Sequence, residues 1–484
     1  MLQTFYEGRC LDHPNPPHKE NHLSPHLYMK SYYLHILRYA LRGLLIALPL
    51  ALLPACSDEE DPTPPPQQKC GRVVMVYMSM QNSLGNKGHH LNDSTEIAQA
   101  MAYIPENDRL LLFIDDAQAP RMYELERNLK APKLVKRWTK DFSTASKEGL
   151  QEVLTLMRTQ YAADEYALVV GSHASGWLPK PAETAVNSNR RETEGRGHAT
   201  LPKRTIGVDV GDDGNIRYDK GPNGTVPDQM EIADFASAIN AAGVYLRYIL
   251  FDACLMQNVE TAYALRQVTD YIIASPISIS AEGAYYTDLV RYGLYNASPD
   301  MVAITYLSYY KGQGSIPYYS ENENKFYGTV ISSIRTEALP QLASTVRNIL
   351  PSLANTTDNG TTTWNMDEAL NYHDYNAYNY YRPHFYDLYS AFEAMGADKA
   401  QLKELRGAID QAVTFYGANK KFWIGPSYFD FQTMPEAAEY CGVAAFIPQQ
   451  IYTDNAANSA YGDLNIAFRK TEWYRAAGWD ATGW

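Results

Sequence analysis

A cysteine and a histidine each follow a short apolar run, and this pair is the clearest source of chemistry in the chain. Residues 165–172 lead to His173, and residues 248–252 lead to Cys254. Such runs are typical of buried strands in an open α/β sheet, where chemistry collects beyond the carboxyl ends of the strands. We therefore expect the imidazole and the thiol to meet. Such a pair is the minimum that nucleophilic acyl transfer requires.

Each of these residues also has a structural interpretation when it is taken alone. A free cysteine is most often a small buried hydrophobe, and a single histidine is more often structural than catalytic. Cys254 precedes residues 256–266, which we expect to be helical, so the helix N-terminus would stabilise its thiolate. Its backbone N–H would also point at a substrate oxyanion. The presence of both residues at strand ends favours the catalytic interpretation over the structural one.

The order of predicted elements indicates the fold class. Strands are expected at 72–78 and 109–115, before His173, before Cys254 and at 271–275, and helices at 92–103, 147–161, 228–241 and 256–266. This alternation predicts a mainly parallel sheet with helices on both faces. The pattern then loosens, with helices expected at 298–311, 335–350, 399–416 and 463–477, a strand at 442–447 and surface loops at 354–384.

The N-terminal segment is typical of an export signal. Residues 43–55 are apolar and follow Arg38 and Arg42. This run is short for a membrane span of about 20 residues and fits the apolar region of a secretory signal, about 7–15 residues long. It ends in Leu-Pro-Ala-Cys56, which resembles a bacterial lipobox and implies lipidation of Cys56. The alternatives are an uncleaved anchor or an ordinary signal peptide. We expect a leader at 1–55 and a stiff Pro-rich tether at 56–70.

Composition excludes several classes of function. The formal net charge is −13, which argues against nucleic-acid binding, since that needs a basic face. Beyond the leader only Cys70, Cys254 and Cys441 remain, too few for a disulfide scaffold; one Cys70–Cys441 bridge would leave Cys254 free. No metal-ligand cluster of the CxxC or HExxH kind appears, so we assign no metal ligands. Residues 209–215 lack the ligand spacing of an EF-hand and are better interpreted as a tight turn.

At these residues the chain resembles the clostripain family, within the caspase, legumain and gingipain group of cysteine peptidases. In that family an apolar strand ends in a His-Gly-x-Gly-like turn, and a later strand ends in Asp-Ala-Cys-Leu-Met. The second motif stands here at 252–256, and the first reads His-Ala-Ser-Gly at 173–176, with Ala174 in place of the usual glycine. The similarity covers about 73–286 and continues more weakly to the C-terminus.

The resemblance implies a caspase-like α/β/α sandwich with endopeptidase activity on proteins or peptides. The peptidase domain would span 71–290, and an α+β region at 291–484 would pack on it or complete it. Cys254 would attack the scissile carbonyl, and His173 would act as general base and acid. The N–H groups of Ala174 and Cys254 would hold the oxyanion. The resemblance implies no required cofactor, although some similar enzymes use calcium, which leaves that ion open.

Similar enzymes favour Arg or Lys before the scissile bond, through acidic groups in the primary pocket. Asp252 matches the family's pocket acid beside the nucleophile, and Glu282 lies where a second pocket acid can stand. Such an acid would pair with a guanidinium, ideally bidentately. The structural alternatives are a helix N-cap for Asp252 and plain solvent exposure for Glu282. The basic loop 178–205 is a candidate self-cleavage site, because the family is known to activate by cleavage at a basic residue.

We therefore expect a monomeric cysteine endopeptidase, exported and lipid-anchored to a bacterial membrane at the outer membrane or cell surface. The rival is an inactive or weakly active caspase-like fold that binds peptide or glycan through its tyrosine-rich C-terminal half. Ala174 and the 38 tyrosines of the chain motivate this rival. Packing of amphipathic tyrosines is the simpler interpretation of that composition.

Overall fold

A computed structural model of the chain describes residues 69–179, 206–316, 328–354, 362–372, 384–423, 431–453 and 464–484. Residues Pro66–Trp484 form one compact unit. The expected leader at 1–55, the lipidation site Cys56, nearly all of the tether at 56–70 and residues 180–205 of the basic loop lie outside the described residues. None of the described helices is long and apolar enough to cross a membrane.

The central feature is a large mixed sheet. In chain order the described strands are β1 (Cys70–Ser79), β2 (Arg109–Asp115), β3 (Arg121–Leu125), β4 (Lys133–Arg137), β5 (Ala163–Gly171), β6 (Ile206–Asp209), β7 (Asp228–Met230), β8 (Leu246–Asp252), β9 (Tyr271–Ala274), β10 (Val330–Arg335), β11 (Tyr386–Asp387), β12 (Val413–Ala418), β13 (Lys421–Trp423), β14 (Phe431–Thr433) and β15 (Ala444–Ala445). Nine of them form one sheet in the order β12-β10-β9-β8-β5-β1-β2-β3-β4. Strands β9, β8, β5, β1 and β2 are parallel, and the strands at both flanks are antiparallel.

Helices cover both faces of this sheet. The described α-helices are α1 (Ser83–Asn86), α2 (His89–Gln99), α3 (Lys147–Gln160), α4 (Ile232–Ala241), α5 (Val259–Leu265), α6 (Tyr286–Asp288), α7 (Asp300–Tyr310), α8 (Leu339–Leu353), α9 (Leu388–Ala394), α10 (Lys399–Ala412), α11 (Leu464–Arg469) and α12 (Glu472–Ala476). Side chains of α3, α4, α5, α8 and α10 contribute to one core, and those of α2, α6 and α7 contribute to the other.

The central strands are apolar throughout because both of their faces are buried. In β1, Val73 and Met75 point into one core, whereas Val74 and Val76 point into the other. Successive side chains of a strand face opposite sides, so a strand between two helical layers must be apolar at nearly every position. The result is a three-layer α/β/α sandwich, which confirms the predicted fold class.

Several predicted elements occur where they were expected. The strand predicted at 109–115 is β2, and the helix predicted at 147–161 is α3, whose N-cap Ser146 accepts a hydrogen bond from a backbone N–H of the first turn. The strands predicted before His173 and Cys254 are β5 and β8. Long apolar runs and strong helical periodicity therefore located these elements correctly.

Other predicted elements were wrong in extent. The helix predicted at 92–103 begins earlier, as α2, and the strand predicted at 442–447 is limited to β15. The helix predicted at 228–241 begins later, as α4, because its first residues form β7 and pair with β6. The helix predicted at 399–416 is α10 followed by β12, since its last residues are β-branched or aromatic and pair with β10. The helix predicted at 463–477 is split into α11 and α12.

Segments beyond residue 290 join the same sheet as the cysteine-bearing strand. Strand β10 runs antiparallel to β9, with Ser332 opposite Ala274. The Gln257 side chain donates to the Ser332 backbone oxygen at 2.8 Å, and the Ala444 N–H donates to the Gln257 carbonyl at 2.9 Å. The loop after β8 is therefore held by residues from the C-terminal half of the chain.

The cysteines and tyrosines resolve two questions that the composition left open. Cys70 and Cys441 are both buried and unbridged, so the considered disulfide is absent. Most of the tyrosines that the structure describes in the C-terminal half are buried, and Tyr286, Tyr310 and Tyr372 are among the largest fully buried side chains. This burial supports the packing interpretation of the tyrosines rather than a broad aromatic binding surface.

Candidate active site

The register of two neighbouring strands places His173 and Cys254 at equivalent positions. Strands β5 and β8 are parallel neighbours, and their last matched pair is Gly171 with Asp252. His173 and Cys254 each lie two residues past this pair. Because adjacent strands are about 4.8 Å apart, the two residues leave the sheet side by side at its carboxyl edge. The sheet thus brings the two predicted catalytic residues to one edge.

Cys254 lies on a sharp turn, and the helix expected at 256–266 begins three residues later than predicted. Helix α5 starts at Val259, and Asn258 is its N-cap. Leu255, directly after the cysteine, has a φ of 61°, which is uncommon and strained for a residue with a side chain. The Leu255 N–H donates to the Ile277 carbonyl at 2.9 Å. The turn therefore holds Cys254, which is partly exposed, by backbone constraint and not through a helix N-terminus.

The turns that carry the two residues pack directly on each other. Gly176 has a φ of 67°, and a Cβ at this position would lie 2.4 Å from Asn258 Nδ2 and 2.6 Å from the Leu255 oxygen. Only a glycine allows such an approach at this backbone conformation. The histidine turn and the cysteine turn are therefore fixed relative to each other by close packing.

Ser83 and Asp219 orient the imidazole of His173. The Ser83 Oγ lies 3.0 Å from His173 Nε2 and donates its proton to Asp219 Oδ2 at 2.8 Å. The Ser83 N–H donates to the other Asp219 oxygen at 2.6 Å. Since the serine has one hydroxyl proton, its oxygen accepts from Nε2–H, and in the neutral imidazole this leaves the lone pair on Nδ1. This arrangement of base and orienting groups is typical of nucleophilic catalysis.

Sequence reasoning did not identify Ser83 or Asp219 as site residues. Ser83 had a weak signal, because it begins α1 directly after the polar turn that follows β1 at the carboxyl edge of the sheet. Asp219 had none in the local sequence, although its φ of 50° marks it as strained in the structure. Strained backbone of this kind clusters at functional sites.

Ala174 does not have a positive φ, so its backbone conformation tolerates a methyl side chain. Its side chain is buried, and the preceding carbonyl of His173 accepts a hydrogen bond from the Gly207 N–H at 2.9 Å. Within the described residues the Ala174 N–H has no hydrogen-bond acceptor. The replacement of the usual glycine therefore leaves the conformation of the turn unstrained at this position.

Asp252 is a buried acid two residues before Cys254. It accepts hydrogen bonds from the Ala284 N–H and from the hydroxyls of Tyr286 and Tyr306, each at 3.1 Å. Burial raises the pKa of the carboxyl group, and these three hydrogen bonds oppose that rise. The alternative that Asp252 is a helix N-cap was wrong, because Asn258 caps α5.

Glu282 lies next to the loop that closes over Asp252. Gly283, its neighbour, has a φ of 58°, and a Cβ there would lie 2.6 Å from Asp252 Oδ2. Tyr310 donates its hydroxyl to the Gly283 carbonyl at 2.7 Å. Glu282 itself is half-buried, so the alternative of plain solvent exposure does not describe it. Its role as a second pocket acid stays a prediction.

Hydrogen bonds within the protein hold the loop at 209–215. The Asp209 carboxylate accepts from the Thr144 N–H at 2.7 Å and from the Gly211 N–H at 2.9 Å. Burial raises the pKa of Asp209 to about 6. Within the described ranges no group of three His, Cys, Asp or Glu side chains is arranged to hold a metal ion. A need for calcium stays untested.

Comparison with known proteins places this geometry in a family. Residues 76–191 and 214–482 match the model of the clostripain family. A secreted C11 cysteine protease from Bacteroides thetaiotaomicron, solved with an irreversible peptide inhibitor, is 23% identical with a TM-score of 0.64, over 85% of this chain and 99% of that one. An inactive zymogen C11 protease from Parabacteroides distasonis is also 23% identical, with a TM-score of 0.63 over 85% and 99%. No match was found among curated proteins.

The two kinds of match support different conclusions. At these identities the structural likeness shows a shared fold. The family model adds the class of chemistry, because it matches most of the chain, including the segments that carry His173 and Cys254. The chain therefore belongs to the clostripain family of cysteine endopeptidases.

Proposed function

We propose that this cysteine endopeptidase cleaves after Arg or Lys through a dyad of His173 and Cys254. The observation that carries the proposal is the register of β5 and β8, which sets both residues two positions past the Gly171–Asp252 pair. The Ser83–Asp219 pair supports it, because these residues orient the imidazole from the side of Nε2.

In the proposed mechanism His173 Nδ1 takes the thiol proton of Cys254, and the Sγ attacks the scissile carbonyl carbon. The N–H groups of Ala174 and Cys254 stabilise the oxyanion. His173 then gives its proton to the leaving amine, and the C–N bond breaks to leave a thioester. A water molecule, deprotonated by His173, hydrolyses the thioester and restores the thiol. Ser83 and Asp219 stabilise the imidazolium during both steps.

Asp252 supports the preference for a basic side chain before the scissile bond. Its carboxyl group is buried two residues from the nucleophile and carries hydrogen bonds from neutral donors. Burial raises its pKa, and a bound cation would favour the ionised form and pair with it. Glu282, next to the residue that packs on Asp252, would add a second negative charge.

Export and anchoring complete the proposal. The apolar run at 43–55 followed by Cys56 supports a lipid anchor on a bacterial membrane, and one related structure is described as a secreted protease. The enzyme would act as a monomer on proteins or peptides, without nucleic acid and without a required cofactor. Incorporation of an alkyne-bearing fatty acid, lost in Cys56→Ser, would test the anchor. Labelling that persists in the variant would exclude Cys56 as the lipidation site.

Hydrolysis of fluorogenic peptides with Arg, Lys, Ala or Asp before the scissile bond tests the activity. The full chain is assayed intact and after nicking by trypsin that is then inhibited, with calcium or with a chelator. We expect turnover of Arg and Lys peptides that Cys254→Ala lowers by at least about 1,000-fold. Cys441→Ala, at another free cysteine, should retain it. Equal turnover in Cys254→Ala, or none by the parent protein, would contradict the proposal.

A further inference from the structure

A cavity of about 970 Å³ lies between the end of α7 and the end of β12. Its walls come from three segments, which are the end of α7 with the residues that follow it, the end of β12, and the segment after β14. Two hydrogen bonds fix the lining residue Asn419: its Nδ2 donates to the Tyr310 carbonyl at 3.1 Å, and the Thr329 N–H donates to its Oδ1 at 2.9 Å. Tyr310 in turn donates its hydroxyl to Gly283, which packs on Asp252. The cavity is therefore tied to the segment beside the proposed dyad.

Strand register places this cavity on the same edge of the sheet as Cys254. One row of paired residues crosses β8, β9, β10 and β12, and its members are Leu250, Ile273, Ser333 and Phe415. Because β10 is antiparallel to both β9 and β12, β12 runs in the same direction as β8. Cys254 lies four residues past its member of the row, and Asn419 lies four residues past its own. Three strand spacings of about 4.8 Å put the two positions about 14 Å apart.

The position of His173 indicates which part of a substrate would reach the cavity. His173 follows β5, on the other side of Cys254 from β9, β10 and β12. The imidazole protonates the leaving amine in the proposed mechanism, so the residues after the scissile bond lie toward β5 and those before it run toward β12. An extended chain advances about 3.3 Å per residue, so about 14 Å corresponds to about four residues.

Two lysines give the cavity a positive charge. Lys311 follows α7 and Lys420 follows β12, and both are exposed lining residues. Neither forms an ion pair with any residue that the structure describes. Glu436 is the one acid in the lining, and its carboxylate already accepts a hydrogen bond from the Glu439 N–H. The cavity is thus locally cationic in a chain whose formal net charge is −13.

We propose that this cavity is a substrate-binding subsite that takes an acidic side chain about four residues before the scissile bond. The inference rests on the proposed endopeptidase function and adds a second point of substrate recognition to it. The ammonium groups of Lys311 and Lys420 would donate to the substrate carboxylate, and hydrogen bonds between charged groups are stronger than those between neutral ones. Because both lysines are exposed, each ion pair is worth up to about 5-fold in affinity.

Fluorogenic peptides that share Arg before the scissile bond and carry Glu, Gln, Leu or Lys at the fourth position before it test this assignment. For the full chain we expect kcat/KM to fall in the order Glu, Gln, Lys, with Glu about 5- to 20-fold above Gln. Lys420→Ala should lower the Glu-to-Gln ratio about 5-fold, and Lys420→Glu should invert the order of the Glu and Lys peptides. Lys403→Ala is the matched control, because Lys403 is exposed on α10 and outside the cavity. It should keep the ratio of the parent protein.

A positional scan separates a subsite from long-range attraction of negative peptides. Glu at the second or third position before the bond should give a smaller Glu-to-Gln ratio than Glu at the fourth. Lys311→Ala should lower the ratio at the fourth position as Lys420→Ala does, so the test does not depend on the folding of one variant. Equal ratios at all three positions, a ratio that both alanine variants retain, or faster cleavage of the Leu than of the Glu peptide overturns the inference. If the parent protein cleaves none of these Arg peptides, the proposed function itself has failed.

Discussion

Substitution of Gly176 by alanine tests whether close packing of the two turns positions Cys254, the proposed nucleophile. Gly176 has a φ of 67°, and its added Cβ would lie 2.4 Å from Asn258 Nδ2 and 2.6 Å from the Leu255 oxygen. Both separations are shorter than real side chains allow, and one of the two partners is backbone. The alanine must therefore push the turn that follows Cys254 away from the turn that follows His173.

The expected loss of unfolding free energy in Gly176→Ala has two parts. The left-handed conformation costs a residue with a Cβ roughly 1–2 kcal/mol, and overpacking of a tightly packed site adds about 1–3 kcal/mol. Because Leu255 directly follows Cys254, relief of the clash also moves the nucleophile. A displacement of about 1 Å from the productive geometry lowers the rate about 100-fold. We therefore expect Gly176→Ala to lose both stability and turnover.

Gly312→Ala is the matched control, because Gly312 has the same φ of 67° and its added Cβ would meet nothing within 4 Å. This variant carries the conformational cost without the clash. Urea denaturation measures the two losses of unfolding free energy, and turnover of an Arg peptide together with alkylation of Cys254 reports on the site. Equal stability and equal turnover in the two variants would refute the claim that the turns are sterically coupled.

Two further predictions concern the imidazole and a buried acid. Ser83→Ala removes the acceptor of His173 Nε2–H, so we expect kcat to fall about 10-fold with KM unchanged. The double variant with Asp219→Asn should lose no more kcat than the more damaging of the two single variants. Additive losses would contradict the claim that Ser83 and Asp219 orient the imidazole as one unit. Burial raises the pKa of Glu260 from 4.5 to about 8, so the folded protein keeps a proton that the unfolded chain releases, and stability falls as pH rises between these values. Glu260→Gln keeps the acceptor of the Phe446 N–H and should make stability less dependent on pH. Urea midpoints measured from pH 5 to pH 8 test this. If the midpoints of the variant fall with pH as steeply as those of the parent protein, other groups cause the pH dependence.

Much of the central fold could be predicted from local sequence, because strands buried on both faces are apolar without interruption. This rule located β1, β2, β5, β8 and β9, and with them the strand ends that carry His173 and Cys254. The sequence patterns did not locate elements whose secondary structure depends on pairing with a distant segment of the chain. The segment after Ala412 continues a helical pattern, yet it forms β12 because β10 offers an open edge. Cys254 likewise lies before a loop, since contacts with the segment after β9 hold residues 255–257 out of helix α5.

By itself, the sequence indicated the fold class through its alternating strands and helices, and it indicated His173 and Cys254 as candidate site residues through their positions after apolar runs. Asp252 was assigned through the resemblance to the clostripain family. Only the tertiary structure showed that Ser83 and Asp219 orient the imidazole. These two residues come from the start of α1 and from a loop 136 positions later in the chain. Their proximity follows from strand register and helix packing, which no local pattern of residues records.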